Sequence, residues 1–249
     1  MTSNIRFTNP QDDQFNWPHR KSLWSGLITK YDIDILGTQE GREPQLREAE
    51  ELLPSYTLVD SHRPWIKERM YPCIFIKTEN FNVIRSGDIW LSENPYTPGS
   101  ISFESAFPRL STFAELECKR SNKKIFVINC HLDHMKNETR AKQIQVLLNE
   151  IKVNNPENLP VILMGDFNES SEGEVRKLIN SDGNNLQDSW KSVEEGSHHR
   201  FTGDNQDTAR IDWIMHSPSL KSEDAALVKD SEGDIYPSDH FPVKTTITI

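Results

Sequence analysis

The feature that most constrains this chain is a short apolar run that ends in an acid and an amide. Residues 159–168 read Leu-Pro-Val-Ile-Leu-Met-Gly-Asp-Phe-Asn, which predicts a strand buried on both faces and ended by Gly165. Because side chains alternate along a strand, we expect Asp166 and Asn168 on one side and Phe167 on the other. Such a pair can bind a divalent cation, accept a proton from water or orient a phosphoryl oxygen. The alternative is an ordinary turn in which both side chains cap backbone groups.

Composition narrows the class of protein. The chain has 249 residues and a formal net charge of -10, and we expect one domain over residues 1–249 and a monomer. The negative charge argues against binding extended double-stranded nucleic acid, which requires many Lys and Arg contacts to phosphates. No apolar run is long enough to predict a membrane segment. The three cysteines are not closely spaced, so neither a disulfide framework nor a thiolate metal site is predicted.

The amino terminus bears on the predicted location. The first residues, Met1 to Phe7, contain neither a basic nor an apolar region of a signal peptide. We therefore predict a cytoplasmic protein. Since the chain begins inside a strand, secretion is the alternative if Met1 is internal to a longer product.

Strands and helices alternate in a pattern typical of layered α/β proteins. One helix is predicted to start after Asn16, and three more are predicted near 43–52, over 138–152 and over 173–179. Residues 56–118 are predicted to form antiparallel hairpins. Several predicted strands end in polar groups. These candidate site residues are Asn4, Glu40, His131, Asp166 with Asn168, Asp212, and Asp239 with His240.

The candidates are expected to meet because strand ends in layered α/β folds gather at one rim. Oxygen ligands with few imidazoles and no thiolates suit Mg²⁺, or Mn²⁺ in its place, better than Zn²⁺. Each residue alone also has a structural interpretation: Glu40 can start a helix, His131 can be a hydrogen-bonded core histidine, and Ser-Asp-His at 238–240 can stabilise a loop.

The motifs that contain these residues resemble those of the endonuclease/exonuclease/phosphatase superfamily, the metal-dependent phosphoesterases related to deoxyribonuclease I. They are, in the order of the superfamily, Thr-Ser-Asn-Ile-Arg at 2–6, Gly-Thr-Gln-Glu at 37–40, Asn-Cys-His-Leu-Asp-His at 129–134, Gly-Asp-Phe-Asn at 165–168, Arg-Ile-Asp-Trp-Ile at 210–214 and Ser-Asp-His-Phe-Pro-Val at 238–243. The resemblance implies a four-layer α/β/β/α sandwich, with two mixed sheets face to face, helices outside and the site at one rim.

The resemblance also implies metal-binding and phosphate-binding roles. Glu40, with Asn4 close by, is similar to the main Mg²⁺ site, and Asp239 is similar to a carboxylate that also approaches the metal. Asp166 resembles the acid that positions or deprotonates the attacking water. Asn168 resembles the amide that binds the scissile phosphate.

The remaining roles concern proton transfer and the substrate. His240 resembles an imidazole paired with an acid, here Asp212, and His131 resembles a second histidine on the phosphate. Asp166 and the Asp212–His240 pair are alternative candidates for the general base. Arg109 is a candidate substrate contact, with an interior ion pair as its alternative, and Tyr71 is a candidate site-lining residue.

These features predict hydrolysis of a phosphodiester or phosphomonoester in a small or single-stranded substrate. The first alternative is a nuclease on DNA or RNA with a local basic groove. Two sets of residues are candidates for that groove, namely Arg63, Lys67 and Arg69, or His198, His199 and Arg200. The second alternative is a binder of phosphorylated ligands without turnover. Salt dependence separates a nuclease from an enzyme with a small substrate.

Overall fold

Two six-stranded mixed sheets form the centre of the protein in a computed structural model, which describes residues 1–181, 183 and 185–249. Sheet I contains β1 (Thr2–Asn4), β2 (Ile35–Arg42), β3 (Tyr56–Leu58), β4 (Met70–Lys77), β11 (Lys221–Leu227) and β12 (Val243–Thr248), in the order β11-β12-β1-β2-β4-β3. Sheet II contains β5 (Phe81–Trp90), β6 (Leu110–Cys118), β7 (Lys124–His131), β8 (Val161–Asp166), β9 (Gln187–Asp188) and β10 (Asp212–His216), in the order β5-β6-β7-β8-β10-β9. In these sheets the β1–β2 and β7–β8 pairs are parallel.

Helices cover the outer face of each sheet. Helices α1 (Trp17–Lys30) and α2 (Glu43–Leu52) pack on sheet I, whereas α3 (Asn137–Asn154) and α4 (Glu174–Asn180) pack on sheet II. A third apolar cluster, which includes Ile74, Val127 and Ile214, lies between the sheets. Three apolar layers thus separate four layers of secondary structure, which confirms the predicted α/β/β/α sandwich. The described part of the chain has no helix long and apolar enough to cross a membrane.

Helix α1 begins after Asn16, as the sequence predicts. The Asn16 side chain accepts a hydrogen bond from the backbone N–H of Trp17 at 2.9 Å, and Pro18 stands in the first turn. The buried face includes Trp24 and Leu27. Helix α1 packs this face against sheet I and forms the crossover connection between β1 and the parallel strand β2.

Local departures from the predictions have physical causes. The strand in which the chain begins, β1, is short and covers only Thr2–Asn4. Strand β8 does not end at Gly165 but continues to Asp166. Gly165 has a φ of 148°, and a Cβ atom there would lie 2.1 Å from the Cys130 carbonyl oxygen, so this glycine permits close strand pairing.

Strand β11 is absent from the predictions because its sequence, Lys-Ser-Glu-Asp-Ala-Ala-Leu, is mostly polar. It is an edge strand that pairs with β12 across a register shift between Glu223 and Ala226. Edge strands of this kind commonly carry charge and bulges, which weaken the alternation of apolar residues.

Candidate active site

Strand register brings three of the predicted site residues side by side at one rim of sheet II. His131, the last residue of β7, is in register with Asp166, the last residue of β8. Asp212, the first residue of β10, is paired with Asp166 from the other side. All three are buried. The centre of the site is thus positioned by backbone hydrogen bonding of adjacent strands.

Asn4 connects sheet I to this centre. Its Nδ2 donates to Asp166 Oδ2 at 3.0 Å and to Glu40 Oε1 at 3.2 Å. Its Oδ1 accepts from the backbone N–H of Arg6 at 2.9 Å, which defines the orientation of the amide. One buried amide therefore joins carboxylates that belong to different sheets.

Glu40 is presented by an irregular piece of strand. The pairing of β2 with β4 shifts register between Thr38 and Gly41, and Glu40 adopts a left-handed φ of 68°. Bulges and left-handed non-glycine residues are costly and occur often at functional sites, where they re-aim a side chain. Here the shift directs the Glu40 carboxylate towards Asn4.

His240 and Asp212 form a buried acid–imidazole pair. The His240 Nδ1 to Asp212 Oδ2 distance is 2.8 Å, and the Ser197 hydroxyl donates to the same carboxylate oxygen at 2.6 Å. Nδ1 therefore carries a proton, and Nε2 is the nitrogen left to act elsewhere. Burial opposes a charge on His240, but the Asp212 carboxylate outweighs this effect and raises the pKa of His240 well above its usual value.

The carboxyl groups of Asp166 and Asp212, which are paired in register, lie in an environment that favours a cation. Burial, and then the charge of Asp212, raise the pKa of Asp166 to about 6. Asp212 Oδ1 is buried and has no hydrogen-bond partner among the described residues. Two carboxyl groups thus lie close together in a buried place, and one oxygen of Asp212 has no hydrogen-bond partner there among the described residues.

The protonation of His131 follows from its neighbour. Arg109 Nη1 lies 3.1 Å from His131 Nδ1, and since arginine only donates, Nδ1 must accept and the proton is on Nε2. That Nε2 lies 3.4 Å from Asp166 Oδ2. Burial and the nearby Arg109 charge lower the pKa of His131 well below its usual value. His131 is thus a neutral hydrogen-bond donor at the site.

Asn168 does not follow the predicted strand alternation. Its φ of 52° is left-handed, and its backbone N–H donates to Asp166 Oδ1 at 2.9 Å. Its Nδ2 donates to the Leu132 carbonyl oxygen at 3.0 Å. The expected extended geometry is therefore wrong, because the chain turns directly after β8. The turn nevertheless keeps the amide beside Asp166.

Asp239 lies in a different cluster from Glu40. Its Oδ2 is 3.8 Å from His198 Nε2, and its Oδ1 accepts from the Ser238 hydroxyl at 3.2 Å. Burial raises the pKa of Asp239, but His198 and His240 outweigh burial and lower it below its usual value. Within the described residues, two triplets of acid and imidazole groups have ligand atoms within 4.8 Å of one another, namely Asp166–Asp212–His240 and His198–Asp239–His240. Glu40 belongs to neither.

Comparison with known proteins places the chain in a family. The sequence profile described as the Endonuclease/Exonuclease/phosphatase family matches residues 1–240. The chain belongs to this family. No curated protein sequence matches the chain. Family membership makes it a phosphoester hydrolase by type, as the motifs predict.

Solved structures of this family are similar over nearly their full length. An endonuclease/exonuclease/phosphatase from Bacteroides vulgatus is 26% identical with a TM-score of 0.92, covering 100% of this chain and 97% of the other. A mannosyl-6-phosphatase from Bacteroides thetaiotaomicron is 28% identical with a TM-score of 0.91, covering 100% and 98%. A functionally unknown protein from Enterococcus faecalis is 29% identical with a TM-score of 0.90, covering 99% and 98%.

The two candidate substrate contacts of this family member, Arg109 and Tyr71, are both buried but differ in their hydrogen-bond partners. Arg109 is not in an interior ion pair, because its guanidinium contacts His131 and His134, and its Nε has no partner among the described residues. Tyr71 is 1% exposed, and its hydroxyl accepts from the Ile66 backbone N–H at 2.9 Å. That position argues against the substrate contact predicted for Tyr71.

Neither predicted basic groove is present as a set. Arg63 is buried and bonded through two nitrogens to Asp88, at 2.7 Å each. His199 is buried and stacked on Phe241, with ring centroids 3.9 Å apart. Each set thus loses a member to the protein interior, which weakens the nuclease alternative.

Sequence reasoning missed two residues that position the site. Ser197 supports Asp212, and it lies in a polar loop whose sequence gives no periodic signal. Arg20 is buried on the apolar face of α1, four residues before Trp24. A charged residue on such a face is a signal that could have been used. Arg20 donates to four carbonyl oxygens, those of Ile5, Arg6, Phe15 and Pro237.

Proposed function

We propose that this chain hydrolyses small phosphoesters with the help of a divalent cation, Mg²⁺ or Mn²⁺, and that a sugar phosphomonoester is its substrate class. The observation that carries the proposal is the convergence of Asp166, His131 and the Asp212–His240 pair at one rim, joined to Glu40 by Asn4. This set supplies the acid, the imidazoles and the oxygen ligands that phosphoester hydrolysis requires.

The donor set fits a hard cation. Glu40 and Asp239 would hold the ion, since carboxylate oxygens are ligands that Mg²⁺ prefers, and Asn4 would orient the Glu40 carboxylate through the hydrogen bond from its Nδ2. The raised pKa of Asp166 and the unpartnered Asp212 Oδ1 both indicate negative charge that a cation would balance. When bound, Mg²⁺ neutralises charge on the phosphoryl oxygens.

Protein groups divide the remaining work. His131 Nε2–H and the Asn168 amide donate hydrogen bonds to phosphoryl oxygens. Asp212 keeps His240 protonated, so the imidazolium stabilises charge that develops on the phosphoryl group. A protonated His240 cannot accept the proton of water, which leaves Asp166, with a pKa of about 6, as the general base.

The proposed substrate class depends on charge and on similarity. A net charge of -10 disfavours a long polyanion. A sugar phosphate needs only local contacts and escapes that objection. The full-length similarity to a mannosyl-6-phosphatase at 28% identity favours a monoester over a diester.

The test is hydrolysis of mannose 6-phosphate, p-nitrophenyl phosphate and bis-p-nitrophenyl phosphate with Mg²⁺, Mn²⁺ or EDTA. We expect monoester turnover that requires metal, and loss of the metal response in Glu40→Gln. Glu51→Gln, an exposed glutamate on α2, is the matched control.

Variants test the roles of the protein groups. Asp166→Ala and His240→Ala should each lower kcat by at least about a hundredfold, as is typical for acid–base groups. Near-normal kcat in either variant removes that residue from the mechanism. A folded protein that turns over none of the three esters with any metal contradicts the proposal, and a preference for the diester contradicts the substrate class.

A further inference from the structure

His198 brings a second imidazole to the side of the site that contains Asp239. Its ring centroid is 4.6 Å from that of His240, and its Nε2 is 3.8 Å from Asp239 Oδ2. Residues 198 and 240 also pair in an antiparallel bridge, and the backbone N–H of Phe241 donates to the Ser197 carbonyl oxygen at 2.7 Å. The cluster is thus built by backbone pairing of two distant segments.

Outer contacts orient two of the three side chains. The His240 Nδ1–H is held by Asp212, so a metal ion would bind at Nε2 and displace the proton there. The Ser238 hydroxyl donates to Asp239 Oδ1, which leaves Oδ2 towards His198. A carboxylate that holds the second nitrogen of a histidine is the arrangement found around zinc ligands, where it fixes the ring orientation and raises ligand basicity.

We propose that His198, Asp239 and His240 form a binding site for a zinc-class cation that shares Asp239 with the proposed Mg²⁺ site but does not include Glu40. Two imidazoles and one carboxylate suit Zn²⁺, whereas Mg²⁺ prefers oxygen ligands. Three protein ligands with a further position open is a common coordination pattern for Zn²⁺. A cavity of about 280 Å³, lined by His198 and Thr202 among others, lies on the His198 side of the cluster.

Zinc at this site would inhibit the enzyme, a consequence that rests on the proposed function. Binding takes the His240 Nε2, which the proposed reaction needs for the phosphoryl group. It also takes an oxygen of Asp239, a proposed ligand of the catalytic cation. Zinc and substrate therefore exclude one another.

Equilibrium binding tests the site without reference to activity. Zinc is titrated against a chromophoric chelator in the presence of the wild-type protein, His198→Phe and His198→Gln, without Mg²⁺ or substrate. The phenylalanine keeps a ring beside His240 but removes the ligand. We expect both His198 variants to bind Zn²⁺ at least about tenfold more weakly than wild type, since even outer-shell changes cost that much. His19→Phe, which removes an exposed histidine of α1, should match wild type.

Inhibition tests the consequence. Hydrolysis of p-nitrophenyl phosphate at constant Mg²⁺ is followed as Zn²⁺ is added, and each protein is normalised to its own rate without zinc. Wild type and His19→Phe should be inhibited at the same Zn²⁺ concentration, and the His198 variants only at concentrations at least about tenfold higher.

Three outcomes overturn the proposal: wild type binds no zinc, the folded His198 variants bind it as tightly as wild type, or inhibition is independent of His198. The last two would place the zinc at Asp166, Asp212 and His240 instead. An inactive wild type that still binds zinc through His198 would contradict the proposed function and leave the site intact.

Discussion

Two buried arginines of this protein lie in opposite electrostatic environments. Arg63 donates to both oxygens of Asp88 and also contacts Cys73 and Thr112. Arg109 is as deeply buried, yet its hydrogen bonds go to two imidazoles and none goes to a carboxylate among the described residues. A buried charge is costly unless it is paired. We therefore expect Arg63 to serve stability and, on the proposed function, Arg109 to bind an anionic group of the substrate.

Arg63→Met should give the largest effect, and the effect should be on stability. The substitution removes the arginine that bonds both oxygens of Asp88 and leaves this buried carboxylate with the weaker support of His62 and Thr112. Breaking a buried ion pair costs about 3–5 kcal/mol. Urea unfolding measures this loss, while kcat of the folded fraction should change by less than about twofold. The double variant Arg63→Met with Asp88→Leu should recover much of the stability. A large loss of kcat in stable Arg63→Met would end the distinction between the two arginines.

Arg109→Met should show the reverse pattern. Removing an unpaired buried cation costs little stability, so the free energy of unfolding should change by less than about 1 kcal/mol. Because the guanidinium orients His131 and is available to a phosphate, kcat/KM for a phosphomonoester should fall about a hundredfold. Arg109→Lys keeps the charge but loses the planar fork and should recover only part of the activity. Destabilisation without loss of kcat/KM would assign Arg109 a structural role.

The Arg63 environment also predicts a pH dependence of stability. Burial raises the pKa of Asp88, but Arg63 and His62 outweigh burial and lower it from 3.8 to about 2. A carboxyl group whose folded-state pKa is lowered stabilises the protein above the unfolded-state pKa and loses this contribution as the pH falls through the folded-state value. Asp88→Asn should therefore cost about 2 kcal/mol at pH 7 and progressively less between pH 5 and pH 2.

Urea unfolding of wild type and Asp88→Asn at several pH values checks this dependence. The exposed Asp13 provides the control substitution, Asp13→Asn. A difference between wild type and Asp88→Asn that stays constant from pH 7 to pH 3 would show that Asp88 contributes through packing rather than through its charge.

Arg20 is a third buried arginine and sharpens the contrast. Like Arg109, it has no carboxylate hydrogen-bond partner among the described residues, but its hydrogen bonds go to backbone carbonyls, at 2.6 to 2.8 Å. Those carbonyls include Ile5 and Pro237, which lie next to the segments that carry Asn4 and Asp239. Arg20→Lys loses the fork that reaches them and should destabilise the protein by about 1–2 kcal/mol.

The measurement for Arg20→Lys combines unfolding with Mg²⁺ titration of activity. We expect the Mg²⁺ concentration for half-maximal activity to rise several-fold, since one segment carries Asn4, which orients Glu40, and the other carries the proposed cation ligand Asp239. The fall in kcat/KM at saturating Mg²⁺ should be smaller than in Arg109→Met. If kcat/KM fell equally in Arg20→Lys and Arg109→Met, the lack of a carboxylate partner would not distinguish a substrate-binding arginine from a structural one.

The sequence predicted the sheet II half of the site better than the sheet I half. His131, Asp166 and Asp212 each stand at the end of a recognisable apolar strand, and register alone brings them together. Glu40 was recognised at a strand end, but its left-handed conformation depends on a bulge that no local pattern announces. Strand periodicity therefore predicts the sheet II half of the site but not the sheet I half.

Long-range polar contacts explain most of what the sequence did not reveal. Asn168 was placed by alternation, although the chain turns after β8. The motif position of Tyr71 predicts a site-lining residue but carries no information about burial, and Tyr71 is 1% exposed. The partners of Arg20 and Arg63 are separated from them by up to 217 residues along the chain. Pairing at such distances depends on the complete fold.

His134→Phe should produce the smallest effect and locate the boundary of the Arg109 environment. His134 is exposed, its Nδ1 accepts from Arg109 Nη2 at 3.3 Å, and its ring stacks on Phe107 with centroids 5.8 Å apart. Phenylalanine preserves the stack and removes the acceptor. A long hydrogen bond near solvent contributes at the low end of the usual range, so kcat/KM should fall about threefold. Steady-state kinetics on a phosphomonoester, with Arg109→Met measured beside it, decides the point. If His134→Phe lowered kcat/KM as much as Arg109→Met, Arg109 would depend on His134 for its position. Its ability to bind a phosphate would then come from that contact rather than from the lack of a carboxylate partner.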